Sequence, residues 1–235
     1  MSAGDDPLFD DADGPIHDRD PEHPYVGRGG LKLERALDAF GVDPAGLRCA
    51  DLGCHVGGFT DCLLRRGAAR VFAVDTAYNV LDFSLRRDVR VVAMERTNAL
   101  HSGPPEGEPP VGLVAMDVGW TVQRLCVPAA LRWLGAGAGG GSGGAGGAIL
   151  SLVKPHYEAK ELGMDGLLGG GVLPRDAART VTERVVREVL PGLGVRVRGV
   201  VRSPIRGGKT RGKKTGNVEY VVWMEREGRP AEGEH

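Results

Sequence analysis

The sequence is poor in the features that hold a chain in a membrane or staple it with metal or disulfides. Its 235 residues include only four cysteines, and none forms a Cys-x-x-Cys pair or lies near a histidine at zinc-ligand spacing. No apolar run approaches the roughly 20 residues that cross a bilayer, and no basic-then-apolar segment opens the chain. These absences argue against a metal site, a membrane partner and membrane lysis. We expect a cytoplasmic protein with free thiols.

Charge is nearly balanced overall but unevenly distributed along the chain. The formal net charge is -1, which excludes a global field that attracts a polyanion. Residues 1–24 contain eight acidic residues and a single arginine, whereas residues 189–218 contain eight basic residues and no acidic one. This asymmetry is typical of nucleic-acid binding. An acidic solubilising tail beside a solvated basic face explains it equally well.

Strand-like and helix-like segments alternate through most of the chain. The alternation predicts one α/β domain over residues 25–226, with a mostly parallel sheet and an antiparallel strand at its C-terminal end. Residues 1–24 and 227–235 are predicted to be disordered tails. The predicted strands cover residues 47–52, 69–75, 89–94, 111–116, 148–153, 194–201 and 218–224, and the predicted helices cover 31–40, 59–66, 80–87, 122–134 and 177–190.

A glycine-rich turn at residues 51–58 (Asp-Leu-Gly-Cys-His-Val-Gly-Gly) separates a predicted strand from a predicted helix. Such a turn lets a ligand approach the backbone. Its glycines do not fit the dinucleotide fingerprint, and the lysine that ends a P-loop is missing. Asp75 ends the next strand, 24 residues after Asp51, where nucleoside-binding α/β folds place a carboxylate on a ribose. The pair predicts a nucleoside cofactor, with helix capping as the alternative role of Asp75.

Several short segments occur together in a characteristic order. They are residues 25–33 (YVGRGGLKL), 51–62 (DLGCHVGGFTDC), 73–75, 95–98, 152–155, 203–205 and 216–219. In this combination the sequence resembles the TlyA/hemolysin A family of FtsJ-like ribosomal RNA 2'-O-methyltransferases, over about residues 25–225. The resemblance implies a class I, Rossmann-like methyltransferase fold.

The resemblance also implies a cofactor, a substrate and the residues that serve them. The cofactor is S-adenosylmethionine (SAM), and the substrate is ribosomal RNA or a ribosomal subunit, methylated on ribose 2'-hydroxyls, typically of cytidines. The implied catalytic tetrad consists of Lys32, Asp117, Lys154 and Glu219. The residues expected to bind the cofactor are Asp51, Gly53, Cys54, His55, Gly57, Gly58, Phe59, Thr60, Asp75, Glu95 and Asp117.

The chemistry of ribose methylation is compatible with this tetrad. A ribose hydroxyl is a poor nucleophile, and a lysine removes or polarises its proton when burial and a neighbouring cation lower the lysine pKa. We assign that role to Lys154, which follows a buried strand, and positioning roles to Lys32, Asp117 and Glu219. Without the resemblance, each of the four is as easily interpreted as a surface charge. The sequence after Asp117 lacks the Pro-Pro-aromatic motif of base-amino methyltransferases.

Three features depart from the family pattern. Residues 1–24 form an acidic tail where relatives usually carry an S4-type RNA-binding module, residues 54–56 replace small hydroxylated residues, and residues 207–215 form an insertion. The alternative function is therefore a catalytically weak or inactive protein that binds RNA or ribosomes and keeps the fold. A methyltransferase for another acceptor is a second alternative. The sequence does not indicate an oligomeric state.

Overall fold

The computed structural model describes residues 6–10, 16, 22–135, 147–208 and 216–228. Within these residues eight strands form one sheet, in the order β1-β7-β8-β6-β5-β2-β3-β4. Strand β8 runs antiparallel to β6 and β7, and every other neighbouring pair is parallel. The predicted fold class is confirmed. The strands are β1 (Phe9–Asp10), β2 (Arg48–Leu52), β3 (Arg70–Val74), β4 (Val91–Met94), β5 (Leu113–Met116), β6 (Ala148–Val153), β7 (Val195–Arg202) and β8 (Tyr220–Arg226).

The central parallel strands are apolar on both faces because helices cover both. Alternate residues of β2 enter two separate buried clusters: Ala50 and Leu52 join one, and Cys49 joins the other. This is the arrangement expected of strands in a parallel sheet with two covered faces. The helices are α1 (Gly29–Phe40), α2 (Gly58–Arg65), α3 (Phe83–Arg86), α4 (Gln123–Trp133), α5 (Pro155–Glu161) and α6 (Arg175–Arg184).

Local capping explains where the helices differ from their predicted ranges. Gly41 ends α1 as expected, in a left-handed conformation whose N–H donates to the Leu37 carbonyl. Helix α3 is shorter than predicted because Asp82 caps it: its carboxylate accepts a hydrogen bond from the Ser84 N–H at 2.8 Å. Asn79 has a φ of 60°, so the chain is not in a right-handed helical conformation immediately before residue 80, where the helix was predicted to begin.

Two helical features were not predicted correctly. Helix α5 was absent from the sequence interpretation, although Pro155 at its first position is a common start signal. The predicted helix at 177–190 is α6 followed by a wider turn at Val185–Val189 and a tight turn at Leu190–Leu193. Pro191 lies in that last turn, where it supplies no N–H for a regular helix.

The N-terminal segment contributes a strand to the sheet. Phe9 and Asp10 pair in parallel with Val200 and Val201 of β7, and the Phe9 side chain is buried. These two residues correct the prediction of disorder at their positions. Residues 1–5, 11–15, 17–21 and 229–235 lie outside the described part of the chain, and the division into one domain and two tails stays a prediction.

Candidate active site

A cavity of about 380 Å³ opens at the carboxyl ends of β2 and β5. Open α/β sheets bind their ligands at this edge. The start of α1, the glycine turn after β2 and the residue after β5 meet there. Its walls are formed by Gly27, Arg28, Gly29, Lys32, Asp51, Gly53, Cys54, His55, Val56, Gly58, Phe59 and Asp117.

The glycines of the turn are required by its geometry. Gly53 has a φ of 89°, and a Cβ at this position would lie 2.6 Å from the Asp117 carbonyl oxygen. A Cβ on Gly58 would lie 2.9 Å from the Gly27 carbonyl oxygen. Both clashes are with backbone atoms, so the turn and the start of α1 approach more closely than any side chain permits. The turn therefore leaves its backbone exposed to a ligand in the cavity.

Asp51 presents an unpaired carboxylate oxygen to this cavity. The residue is fully buried, and Thr60 Oγ1 donates to its Oδ2 at 2.6 Å. Its Oδ1 has no hydrogen-bond partner among the described residues. Burial raises the pKa of Asp51 to about 7, despite the opposing hydrogen bond from Thr60. A buried acceptor without a partner fits a cationic donor on a ligand.

Asp75 braces the glycine turn, and Glu95 braces the loop that follows β3. The Asp75 carboxylate accepts hydrogen bonds from the backbone N–H groups of His55 and Ala77, each at 2.8 Å. Glu95 accepts from the Asn79 N–H at 2.8 Å. Among the residues described, both carboxylates lie outside the cavity walls, as do the predicted residues Gly57 and Thr60. Their contact with a cofactor stays a prediction.

The unusual residues of the turn have ordinary local roles. Cys54 is buried, and burial raises the pKa of its thiol, so it is present as a neutral thiol at neutral pH. His55 has a φ of 48° and an exposed side chain. Its backbone N–H is fixed by Asp75. Phe59 is buried in the cavity wall, and these side chains leave the shape of the turn intact.

The four predicted catalytic residues meet in one cluster beside the cavity. Lys32 Nζ lies 2.6 Å from Glu219 Oε2 and 3.4 Å from Asp117 Oδ2. Lys154 Nζ lies 2.5 Å from Asp117 Oδ1 and donates to the Val118 carbonyl at 3.0 Å. Asp117 therefore bridges the two lysines. Its carboxylate and Lys32 also line the cavity, which places the cluster directly against the ligand space.

Electrostatics keep Lys32 and Asp117 ionised. Burial alone would lower the pKa of Lys32, but the carboxylates of Asp117 and Glu219 outweigh burial and raise it. Burial alone would raise the pKa of Asp117, but Lys32 and Lys154 hold it well below its usual range. Both groups therefore carry their charges at neutral pH. Lys32 is thus a buried cation paired with Asp117 and Glu219.

Known proteins resemble this chain in sequence and in fold. The chain matches the FtsJ-like methyltransferase family over residues 25–226. It belongs to that family.

Individual relatives support the FtsJ-like assignment. The chain is 38% identical to the 16S/23S rRNA (cytidine-2'-O)-methyltransferase TlyA of Mycobacterium tuberculosis, over 87% of this chain and 70% of the relative. It superposes with a TM-score of 0.76 and 33% identity on a Streptococcus thermophilus protein that carries the name hemolysin, covering 90% of this chain and 70% of that one. An S-adenosylmethionine dependent methyltransferase from Mesorhizobium loti, 16% identical over 85% of this chain and 100% of its own, shares the fold with a TM-score of 0.53.

Sequence reasoning missed part of the cavity of this FtsJ-like methyltransferase. Gly27, Arg28 and Gly29 form one wall, and Val26 is fixed there because its N–H donates to Asp61 Oδ2 at 2.9 Å. The glycines at and just before the start of α1 were a usable signal, since a Cβ on Gly27 would clash with Val56. Within its described residues, none of the helices of this FtsJ-like methyltransferase is both long and apolar enough to cross a membrane.

Proposed function

We propose that this methyltransferase uses SAM to methylate ribose 2'-hydroxyls, chiefly of cytidines, in cytoplasmic ribosomal RNA or ribosomal subunits. The observation that carries the proposal is the Lys154 amine, which is paired with Asp117, a residue of the cavity wall. The name of the Mycobacterium tuberculosis relative, an rRNA (cytidine-2'-O)-methyltransferase, supports the choice of acceptor. A weak or inactive RNA-binding role would not require two lysines and two carboxylates to be brought together in this way.

The residues of the cavity fit SAM. Asp51 Oδ1, which has no partner among the described residues, suits the ammonium group of the cofactor's amino-acid end. The glycine turn would accept the cofactor along its backbone, and Asp75 would face the ribose. SAM supplies a methyl group that is already activated by its sulfonium charge. The protein therefore needs chiefly to align the acceptor oxygen with that methyl and to remove one proton.

Lys154 would handle that proton. In its neutral form the amine accepts a hydrogen bond from the ribose 2'-hydroxyl, and Nζ takes the proton as the oxygen forms its bond to the methyl carbon. When bound, SAM would supply the methyl group, and its sulfur would keep the electrons of the carbon–sulfur bond. Asp117 holds the amine in place before the reaction and stabilises the ammonium afterwards. Lys32 and Glu219 keep Asp117 in position through their ion pairs.

Two surface features near the cluster suit an RNA substrate. Trp120, three residues after Asp117, is 88% exposed, and its ring lies 5.5 Å from that of Tyr157. An exposed aromatic face of this kind stacks readily on an unpaired base. The second feature is the basic run that begins at Arg202. The Arg202 side chain is itself buried, so Arg206, which is partly exposed, is the first residue of the run in the described part of the chain that could contact a phosphate. Residues 209–215 of that run lie outside it.

A methyl-transfer assay tests the proposal. Purified 30S and 50S subunits and their free RNAs are incubated with the protein and tritiated SAM, and the RNA is digested to nucleosides. We expect label in 2'-O-methylcytidine. Binding of SAM and RNA without transfer to any of these substrates would favour the inactive binding role instead. Label on a base or on protein would identify another acceptor.

Asp51 offers a test of cofactor binding that does not depend on turnover. We expect Asp51→Asn to weaken SAM binding by roughly 10- to 100-fold, since hydrogen bonds to charged groups contribute about 1.5–3 kcal/mol. Because the pKa of Asp51 is raised to about 7, the wild-type affinity should rise as the pH increases through about 7 and the carboxylate ionises. The variant should show no such rise. Isothermal titration calorimetry between pH 6 and 8.5 measures both effects.

The control for this experiment is Asp43→Asn, in an exposed loop, which should bind SAM as the wild type does. The pKa of Asp51 is raised on folding, so ionisation of its native carboxylate opposes folding as the pH rises from about 4 to about 7. Asp51→Asn removes the cost of ionising this buried carboxylate, so the free energy of unfolding of the variant at pH 7.5 should not be lower than that of the wild type. Equal SAM affinity of wild type and variant at pH 8 would contradict the assigned role.

A further inference from the structure

A buried polar network links β6 to the starts of α4 and α5. Ser151, Gln123 and Glu158 are each 2% exposed or less. The Gln123 backbone N–H donates to Glu158 Oε1 at 2.8 Å, and its side-chain Nε2 donates to the Leu152 carbonyl at 3.2 Å. Ser151 Oγ donates to Gln123 Oε1 at 2.8 Å. The first residue of α4 is thereby fixed from two directions.

Glu158 supplies a cap that α4 does not have of its own. The helix begins at Gln123, and the preceding Val122 has no side-chain oxygen to accept an N–H of the first turn. A carboxylate from α5 accepts it instead, at a helix end where negative charge is favoured. Burial nevertheless raises the pKa of Glu158 to about 7. Keeping a carboxylate in the core only to cap one helix is energetically unfavourable, which suggests a further role.

The network is connected at both ends to the candidate catalytic residues. Glu158 lies in the first turn of α5, and its own N–H donates to the Lys154 carbonyl at 3.3 Å. Gln123 follows the loop at residues 118–122, which begins directly after Asp117. Lys154 Nζ contacts the other end of that loop, at Asp117 Oδ1 and the Val118 carbonyl. The bond between Glu158 and Gln123 thus closes a ring of contacts that includes the Lys154–Asp117 pair.

We propose that Glu158 is a positioning residue for methyl transfer, which acts through Gln123 to hold the loop at residues 118–122 in register with Lys154. The inference rests on the proposed function, because it assigns Glu158 to the same reaction. Misplacement of reacting groups by about 1 Å can lower a rate about 100-fold. Loosening this ring should therefore lower kcat without removing any group that contacts SAM or RNA.

Two substitutions distinguish the effect of the length of the Glu158 side chain from the effect of its charge. Glu158→Asp keeps the carboxylate but shortens the side chain by one methylene, so the oxygen no longer reaches the Gln123 N–H. Glu158→Gln loses the charge but keeps an oxygen that accepts the same hydrogen bond. Glu161→Gln, on the exposed side of α5 where it pairs with Arg124, is the matched control. For each variant kcat and KM for SAM and for ribosomal RNA are measured, with thermal unfolding.

We expect Glu158→Asp to lower kcat by roughly 10- to 100-fold, with both KM values within about twofold of wild type. Glu158→Gln should have a kcat within about threefold of the wild-type value, and Glu161→Gln should have the same kcat as the wild type. The opposite order, with Glu158→Asp active and Glu158→Gln impaired, would overturn the proposal in favour of a purely electrostatic role. Equal kcat values in all variants, or a loss confined to KM, would also overturn it.

Hydrogen–deuterium exchange separates this inference from the proposed function. In the folded Glu158→Asp protein, amides of residues 118–126 should exchange faster than in the wild type, whether or not any RNA is methylated. Unchanged exchange there would overturn the positioning role even in an active enzyme. Absence of transfer by the wild type, together with faster exchange in the variant, would instead overturn the proposed function and support the structural link.

Discussion

Replacing Lys154 with methionine is expected to lower kcat of methyl transfer by roughly 100- to 10,000-fold, the range typical of losing a general base. The variant keeps the aliphatic stem and loses the amine that would take the ribose proton. Lys154 does not line the cofactor cavity, so the dissociation constant for SAM should stay within about threefold. Single-turnover transfer of a tritiated methyl group, followed by calorimetric SAM binding, measures both quantities.

Lys160→Met is the matched control for this substitution. Lys160 is an exposed lysine on α5, so its loss changes the net charge by the same amount near the same helix. It should leave kcat within about twofold of wild type, because surface charges away from a site contribute little. Full activity of Lys154→Met would disprove the proposed proton transfer, although the protein would remain a methyltransferase of this family.

Lys32→Met is expected to cause the largest loss of stability, about 3–5 kcal/mol, which is typical of removing one partner from a buried ion pair. The Lys32 and Glu219 side chains are 8% and 4% exposed. Without the lysine, Glu219 is left as a buried carboxylate without its cation, and Asp117 keeps only Lys154. Urea unfolding at pH 7 measures the change in the free energy of unfolding.

The pH dependence of this loss has a defined sign. In the wild type the lowered pKa of Asp117 contributes stability that is present above the ordinary aspartate value and is lost as the pH falls through the folded value. The raised pKa of Lys32 contributes stability that is lost only as the pH rises through its folded value. The deficit of Lys32→Met should therefore shrink below about pH 4.5, where carboxylates take up protons.

A double variant distinguishes this electrostatic effect from a packing defect. Adding Glu219→Gln to Lys32→Met removes the uncompensated charge and should recover part of the lost stability, since the two residues are in direct contact. Lys160→Met again serves as the surface control and should change stability by less than about 0.5 kcal/mol. Additive losses in the double variant would show that the cost lies in packing.

Local sequence patterns predicted most of the fold because they act over short distances. Seven of the eight strands were predicted from apolar, β-branched runs to within two residues of their observed bounds, and β6 was predicted at its observed bounds. Two elements were missed for physical reasons. Strand β1 has only two residues, too few for any periodicity. Helix α5 begins directly after Lys154 and its seven residues give no clear amphipathic pattern.

The sequence by itself determined the order of most strands and helices along the chain and the position of the glycine turn. It also determined a set of charged residues placed just after buried strands. These depend on side-chain size, backbone freedom and hydrophobic periodicity, which are properties of neighbouring residues. Only the tertiary structure decided that Lys32 and Glu219, 187 residues apart, form a 2.6 Å ion pair. It also decided that Asp51, in the cavity wall, has one oxygen without a hydrogen-bond partner among the described residues. Such contacts depend on how the sheet brings distant segments together. Burial there removes the water that would otherwise solvate each charge alone, so each charged group needs a partner from another segment.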